Sequence, residues 1–322
     1  MSLLKRSAAR AEQRAGEESG LGPAPGAAAP ASAAALSVPS SLRGKGGIFR
    51  TCANPHCASG WLHLWRSRET PVFESGWCCS AACTRACVEA ALRREMDARG
   101  AVCETHRHRI PLGLAMLAQG WISQKDLRAA LAAQRSAGWG KVGEWLVRQR
   151  STSEERVTRT LGLQWGCPVL SVEYHNPEDL TPLVPRLFID AFGALPLRVA
   201  AGKILYLGFE DRVDPAVALA VERMTGLRVE TGLVPGSHFR MAHAHALEAR
   251  FPPVELIEAV TEQAMATALA KAIEAFEPAQ ARLVRVHDCF WLRLWRRPQV
   301  GPLPESGSIR DLIASAAAHA DA

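Results

Sequence analysis

No stretch of about 18 uncharged apolar residues occurs in this 322-residue chain, which excludes a membrane-spanning helix. The first residues lack the continuous apolar core of a secretory signal, so the expectation is a cytoplasmic protein. A phosphate-cradling G-x4-G-K-[S/T] loop is also missing. Gly44-Lys45, Gly140-Lys141 and Gly202-Lys203 are followed by Gly, Val and Ile, and none has the upstream glycine. No ATP-hydrolysing motor of that kind is encoded. A strong excess of one charge sign is lacking: 38 Lys and Arg against 32 Asp and Glu leave a net +6, which over this length argues against a dedicated nucleic-acid surface. Catalytic constellations are lacking as well. His287-Asp288-Cys289 has the residue types of a thiol nucleophile set, but neighbours along a strand do not converge. The chain therefore reads as a non-enzyme.

What is present is enough apolar residue, 48%, to build real cores. Residues 1–46 are Ala, Pro, Gly and Ser with scattered charges, which cannot bury enough to offset ordering, and read as a disordered tail with a short helix near Leu3–Arg14. Seven of the nine cysteines fall between Cys52 and Cys103. In a reducing compartment that density suits metal binding better than disulfides. Cys52-x4-Cys57 and Cys79-x3-Cys83, the latter opening a helix Thr84–Arg99, form two knuckles that can close a tetrahedral site on zinc. Four thiolates leave no position for water, so the zinc would be structural. Cys78 and Cys87 are the competing ligands. Between the knuckles, residues 61–77 read as a β-hairpin with Trp61, His63 and Trp65 on one face. The pattern resembles treble-clef zinc fingers, and we assign 47–100 to that module.

The most informative stretch, 111–164, is written twice at an offset of 30 residues. PLGLAMLAQGWISQKDLRAALAAQ is followed by KVGEWLVRQRSTSEERVTRTLGLQ. Gly113 matches Gly143, Met116 matches Leu146, Leu127 matches Val157, Leu131 matches Leu161, and Gln134 matches Gln164. Such a repeat implies one supersecondary unit used twice, each copy burying its apolar face on the other. Each copy predicts a short apolar segment, a turn, and a helix capped by Ser123 or Ser153.

These residues resemble the GspE/MshE-type N-terminal domain of type II secretion and type IV pilus assembly ATPases, over residues about 109–241 and without the ATPase domain. The family pattern is Arg-Leu-Gly, a Leu three on, Gly and Ile at the turn, two helix Leu, then Gln, in tandem. Copy one has Pro111 in place of the Arg. Copy two has Lys141 there, Arg150 for the turn Gly and Thr152 for the Ile. Some members bind cyclic di-GMP with these motifs. The resemblance thus implies a candidate site of Arg109, Leu112, Gly113, Gln134, Lys141, Gly143, Leu146, Leu161 and Gln164, with Asp211 from a later loop. The basic run HRHR at 106–109 is either a solvated linker or the source of the Arg missing at Pro111. The other reading of the same residues is that they hold the two copies together without a nucleotide.

The fold expected is α+β and multidomain. A domain at 106–248 comprises the repeat at 111–164 and a small α/β subdomain at 168–240. In the latter we expect a strand at Val169–Val172, a helix at Pro182–Phe192, strands at Leu195–Val199 and Lys203–Phe209, a helix from Asp214-Pro215 to Thr225, and a strand at Arg228–Val234. His238, His243 and His245 read as surface residues and Cys167 as core. A last unit at 252–320 reads as helix Glu255–Glu277, strands Ala281–His287 and Phe290–Arg296, and helix Ile309–Ala318. The second of those strands shows Trp291, Arg293 and Trp295 on one face, a packing surface with an arginine stem along it. Function is read as that of a non-catalytic adaptor docking on secretion or pilus assembly proteins. A cyclic di-GMP receptor and a zinc-finger nucleic-acid binder are the alternatives.

Overall fold

A computed structural model describes residues 51–58, 69–74, 76–98, 110–173, 175–299 and 301–316. The chain divides into two units, Met1–Lys45 and Gly46–Ala322, and every described residue lies in the second. The N-terminal tail, the hairpin strand with Trp61, His63 and Trp65, and the linker with Arg109 lie outside the described residues. Among the described residues the fold mixes ten helices with nine strands in three sheets.

The cysteine module starts with a two-stranded hairpin, β1 (Val72–Phe73) and β2 (Gly76–Trp77), followed by α1 (Ala81–Asp97). Ser80 caps α1 by accepting a hydrogen bond from the Cys83 amide at 3.3 Å. Both copies of the repeat are helical hairpins. Copy one is α2 (Leu112–Ala118) and α3 (Gln124–Ala137); copy two is α4 (Val142–Arg148) and α5 (Glu154–Trp165). The opening segment of each copy is thus itself a short helix. Ser123 and Asp126 form the expected capping box, at 3.2 and 2.9 Å. Ser153 sits at the equivalent N-cap position, but its hydroxyl bonds no amide of the first turn.

The next subdomain holds α6 (Pro177–Leu180), α7 (Arg186–Phe192), β3 (Leu195–Ala200), β4 (Ile204–Phe209), α8 (Pro215–Thr225), β5 (Arg228–Leu233) and α9 (Gly236–Glu248). β3 runs antiparallel to β4, and β5 parallel to it. Asp214 accepts from the amides of Ala216 and Val217 at 3.0 and 3.1 Å, and Gly226 closes α8 at φ 73°. Two expectations are corrected here. Helix 182–192 begins only at Arg186, because Pro185 has no amide to donate and forces its predecessor out of helix. The strand at 169–172 is reduced to a single bridge between Val169 and Leu233.

The last unit is β6 (Val254–Ala259), α10 (Glu262–Phe276), β7 (Gln280–Val286), β8 (Cys289–Trp295) and β9 (Ile309–Ala316), in sheet order β6-β9-β8-β7. The expected helix-strand-strand-helix order is wrong at both ends. Residues 254–259 are a strand parallel to β9, and Thr261 caps a helix that starts only afterwards. Leu256 and Val260, counted as part of the helix's apolar stripe, are 65% and 68% exposed. Residues 309–316 form an inner strand rather than a helix.

This sheet is covered on both faces. Trp291, Trp295, Ile309 and Ile313 join the core of the α/β subdomain, against Phe188, Val217 and Val221. Phe290, Leu292, Leu294 and Leu312 face the other way, into a core made of α10 and the cysteine module's Phe73, Val88 and Leu92. Arg293 is fully buried rather than lying along a surface. Its Nε and Nη2 each meet Asp311 at 2.7 Å, and Trp291 Nε1 donates to the same carboxylate at 2.8 Å. A buried charge requires that degree of pairing.

Candidate functional site: a four-thiol cluster and a closed tandem repeat

Cys52 and Cys57 come from a turn in which the Cys57 amide donates to the Asn54 carbonyl at 3.1 Å and the His56 amide to Asn54 Oδ1 at 3.0 Å. Cys79 and Cys83 come from the start of α1. The first turn is pinned to β2 by the Ala53 amide, which donates to the Trp77 carbonyl at 2.7 Å. A methyl group at Gly76 would sit 2.6 Å from Ala53 Cβ, so that approach requires a glycine. The four sulfur atoms lie within 4.8 Å of one another, and the Cys57–Cys79 and Cys79–Cys83 separations are 3.5 and 3.6 Å. Four sulfurs at about 2.3 Å from one tetrahedral ion are roughly 3.8 Å apart, so this donor set fits a single metal ion.

Protonation in the cluster is uneven. Burial, then the Cys57 and Cys83 thiols, push Cys79 up to about 12. Burial also opposes the Cys83 thiolate, but hydrogen bonds from Ser80, Asn54 and the neighbouring thiols outweigh it and bring Cys83 down to about 7. Trp77 is buried against the four cysteines. The competitors are turned elsewhere: the hydrogen bond with Cys87 and burial raise the Cys78 thiol, and the same bond lowers Cys87. Cys78 lies in the core shared with α10.

In the repeat, the matched residues occupy matched places. A Cβ at Gly113 would stand 2.5 Å from Leu127 Cδ1, and one at Gly143 2.8 Å from Val157 Cγ1. Each glycine is the notch that lets the second helix of its own copy approach the first. Met116 and Leu146 are fully buried at the centre, with Leu112 and Leu161 packed around them. Gln134 Nε2 donates to the Gly140 carbonyl at 2.7 Å, and Gln164 Nε2 donates to the Ile110 carbonyl. Gly140 and Ile110 are themselves equivalent positions, 30 residues apart. Each glutamine therefore holds the chain entering the other copy, a reciprocal closure about a pseudo-two-fold axis. The turn positions also correspond: Gly120 has φ 68° and Arg150 φ 58°.

Lys141 and Asp211 are brought together as a salt bridge between the start of copy two and the β4–α8 loop. The aspartate raises the lysine's pKa against the opposing effect of burial. Lys141, Gln134, Gln164 and Asp211 are thus all engaged within the chain.

No protein-family model and no curated protein matches this chain. Among solved structures, the likeness is to MshE and XpsE. A structure of MshE with cdg is 22% identical, covering 43% of this chain and 99% of that one, at a TM-score of 0.33. The N-terminal domain of XpsE is 22% identical over 41% of this chain and 91% of that one, at a TM-score of 0.30. A second crystal form of the XpsE domain gives 19% identity and a TM-score of 0.24. Such scores leave the role of each residue to the geometry.

Sequence reasoning found the four thiols and the matched repeat positions, but not what the glutamines bond. It missed Glu95, which is buried near the end of α1 with Arg94 and Arg223 around it. A lone glutamate on a polar helix face carries no signal of a partner 128 residues away.

Proposed function

We propose that this chain is a non-catalytic cytosolic adaptor that docks on partner proteins through its tandem repeat, as the N-terminal domains of type II secretion and type IV pilus ATPases do. The observation that carries this reading is an asymmetry in an otherwise two-fold repeat. Ile110 and Leu163 flank the Gln164–Ile110 contact, and Leu114 stands one helical turn beyond it; they are 64%, 64% and 53% exposed. The equivalent positions in the other copy are Gly140, Ala133 and Glu144. The counterpart closes with a different set, Trp139 and Trp145 beside Gly140, so the closure does not dictate these three aliphatic side chains, and an exposed apolar group of this kind marks a contact surface. The test is surface plasmon resonance of the full chain against cytosolic domains of pilus or secretion platform proteins. Ile110→Asp and Leu163→Asp should each weaken binding tenfold or more with an unchanged melt. No binding to any of them, or binding indifferent to both substitutions, would falsify the reading.

The cysteine module is, in this reading, a treble-clef-like finger holding structural zinc through Cys52, Cys57, Cys79 and Cys83. Soft thiolates in a closed tetrahedral set favour that ion, and a reducing cytosol keeps them available. Elemental analysis should find about one zinc per chain. A salt-dependent shift on duplex DNA would instead make the finger a nucleic-acid reader.

A second reading is a cyclic di-GMP receptor, the ligand class that the resemblance implies for the repeat. Its support is the pairing of Lys141 with Asp211, which gathers two candidate ligand groups at copy two. Calorimetric titration decides it: micromolar protein giving no heat discards the receptor.

A further inference from the structure

The four-stranded sheet ends differently at its two edges. β7 is covered, since the Val72 amide donates to Pro278 O at 2.9 Å and the Glu74 amide to Ala281 O at 2.7 Å, from the cysteine module. β6 pairs with β9 on one side and, among the described residues, with nothing on the other. A six-residue edge strand left bare presents alternate amides and carbonyls ready to accept another strand. On its outward face Leu256 is 65% exposed, and Val260 just beyond the strand is 68% exposed. Glu255 is held by Arg310 across to β9 at 2.5 Å, whereas Glu258 is exposed with no ion pair or hydrogen bond to other described residues.

Charge selects the occupant. From Val254 to Gln263 there are three glutamates and no lysine or arginine; Arg310 meets Glu255 and Arg93 meets Glu262, which leaves Glu258 as the charge an incoming strand can answer. A second copy pairing antiparallel with its faces matched, Leu256 opposite Leu256, would set each Glu258 against Val254 and supply it with no cation. An incoming strand instead gains by placing an apolar side chain beside Leu256 and a cation beside Glu258, two residues on along the same face.

We propose that β6 is a strand-addition site for an extended segment of a partner protein in which apolar and basic side chains alternate. The surface is separate from the repeat and does not depend on what the repeat binds. The experiment selects a random decapeptide display library on the full chain, then measures binding of the enriched peptide to the native protein and to Glu258→Lys and Leu256→Asp. The expected result is a consensus of alternating apolar and basic residues, slowed amide exchange at 254–259 on binding, and at least a tenfold loss in both variants. Leu256→Thr, which keeps a strand-forming residue, should show an intermediate loss and guards against misfolding of Leu256→Asp. Failure to enrich any consensus, enrichment that ignores both substitutions, or protection elsewhere overturns the proposal. A concentration-dependent dimer protected at 254–259 overturns it too, and assigns the edge to a second copy.

Discussion

Glu95 and Arg223 form a two-pronged ion pair, at 2.5 and 2.7 Å, that ties the helix carrying two of the thiols to the last turn of α8. The glutamate is 2% exposed and also accepts from Arg94 and from the Arg285 amide at 3.3 Å. Burial alone would raise its pKa, but the guanidinium of Arg223, seconded by Arg94, holds it below the usual carboxylate range. A depressed folded-state pKa means that the pair's contribution is present above the unfolded value, near 4.3, and is lost as pH falls through the folded one. Arg223→Met should cost about 1–3 kcal/mol at neutral pH, by leaving a buried carboxylate with only Arg94 and the Arg285 amide as partners. The deficit should shrink below about pH 4. Denaturant melts of both proteins across pH 3–7 check this, and a deficit constant with pH would remove the pair from the account.

The thiol cluster closes a module whose core continues into the C-terminal sheet through Phe73, Val88 and Leu92. On the proposed zinc reading, Cys79→Ser should abolish metal retention, with a loss on the scale of the roughly 10 kcal/mol that such a structural site contributes. Loosening should then appear in the amide exchange of α10 and β7 before it appears in the repeat. Exchange that rises only within 51–98 would mean the shared core does not transmit the change.

Gly113 and Gly143 face second-helix side chains at 2.5 and 2.8 Å from an added Cβ. Alanine at either site should destabilise the fold by about 1–3 kcal/mol. Gly143→Ala should be the worse of the two, because Val157 has a stiffer side chain than Leu127 and the added Cβ also meets Leu112. Thermal melts rank them, and equal stability to the native protein would show that the notch is not tight.

At the turns, opposite signs are expected. Arg150 holds a left-handed backbone at φ 58° without being glycine, so Arg150→Gly should stabilise by about 1 kcal/mol. Gly120→Ala, at φ 68° with open space around the Cβ, should destabilise by a similar amount, about 1 kcal/mol, through the backbone alone. Urea titration of the two variants measures both. The same sign for both would contradict the equivalence of the turns.

Gln134→Ala and Gln164→Ala should each cost about 1 kcal/mol, the worth of one partly exposed hydrogen bond. Coupling between them is expected, because each bond orients the entry of the other copy. A double-mutant cycle gives the coupling directly, and strict additivity would refute the reciprocal closure.

Much of the local structure was legible because its code is short-range. The Ser123–Asp126 box, the Asp214 cap and the Gly226 stop each depend on residues within a few positions, where backbone sterics and dipoles decide. The 30-residue offset by itself pairs the equivalent Gly, Met/Leu and Gln positions. The 255–277 run misleads because Leu256, Val260, Met265, Leu269 and Ile273 keep a helical spacing, while the strand's inward residues, Ile257 and Ala259, carry a weaker signal. The helix expected at Ile309–Ala318 follows only from the Pro/Gly loop before it; Asp311 becomes intelligible only once Arg293 is opposite it.

The sequence by itself determined the doubled cassette, the four-thiol set and the missing phosphate loop, since each is a matter of residue type at fixed spacing. Only the tertiary structure decided that the thiol module and the α/β subdomain share one C-terminal sheet, that each glutamine serves the other copy, and that β6, among the described residues, pairs on one side alone. Those outcomes depend on which apolar faces find each other across more than a hundred residues, and burial of apolar area is non-directional and leaves no spacing to read.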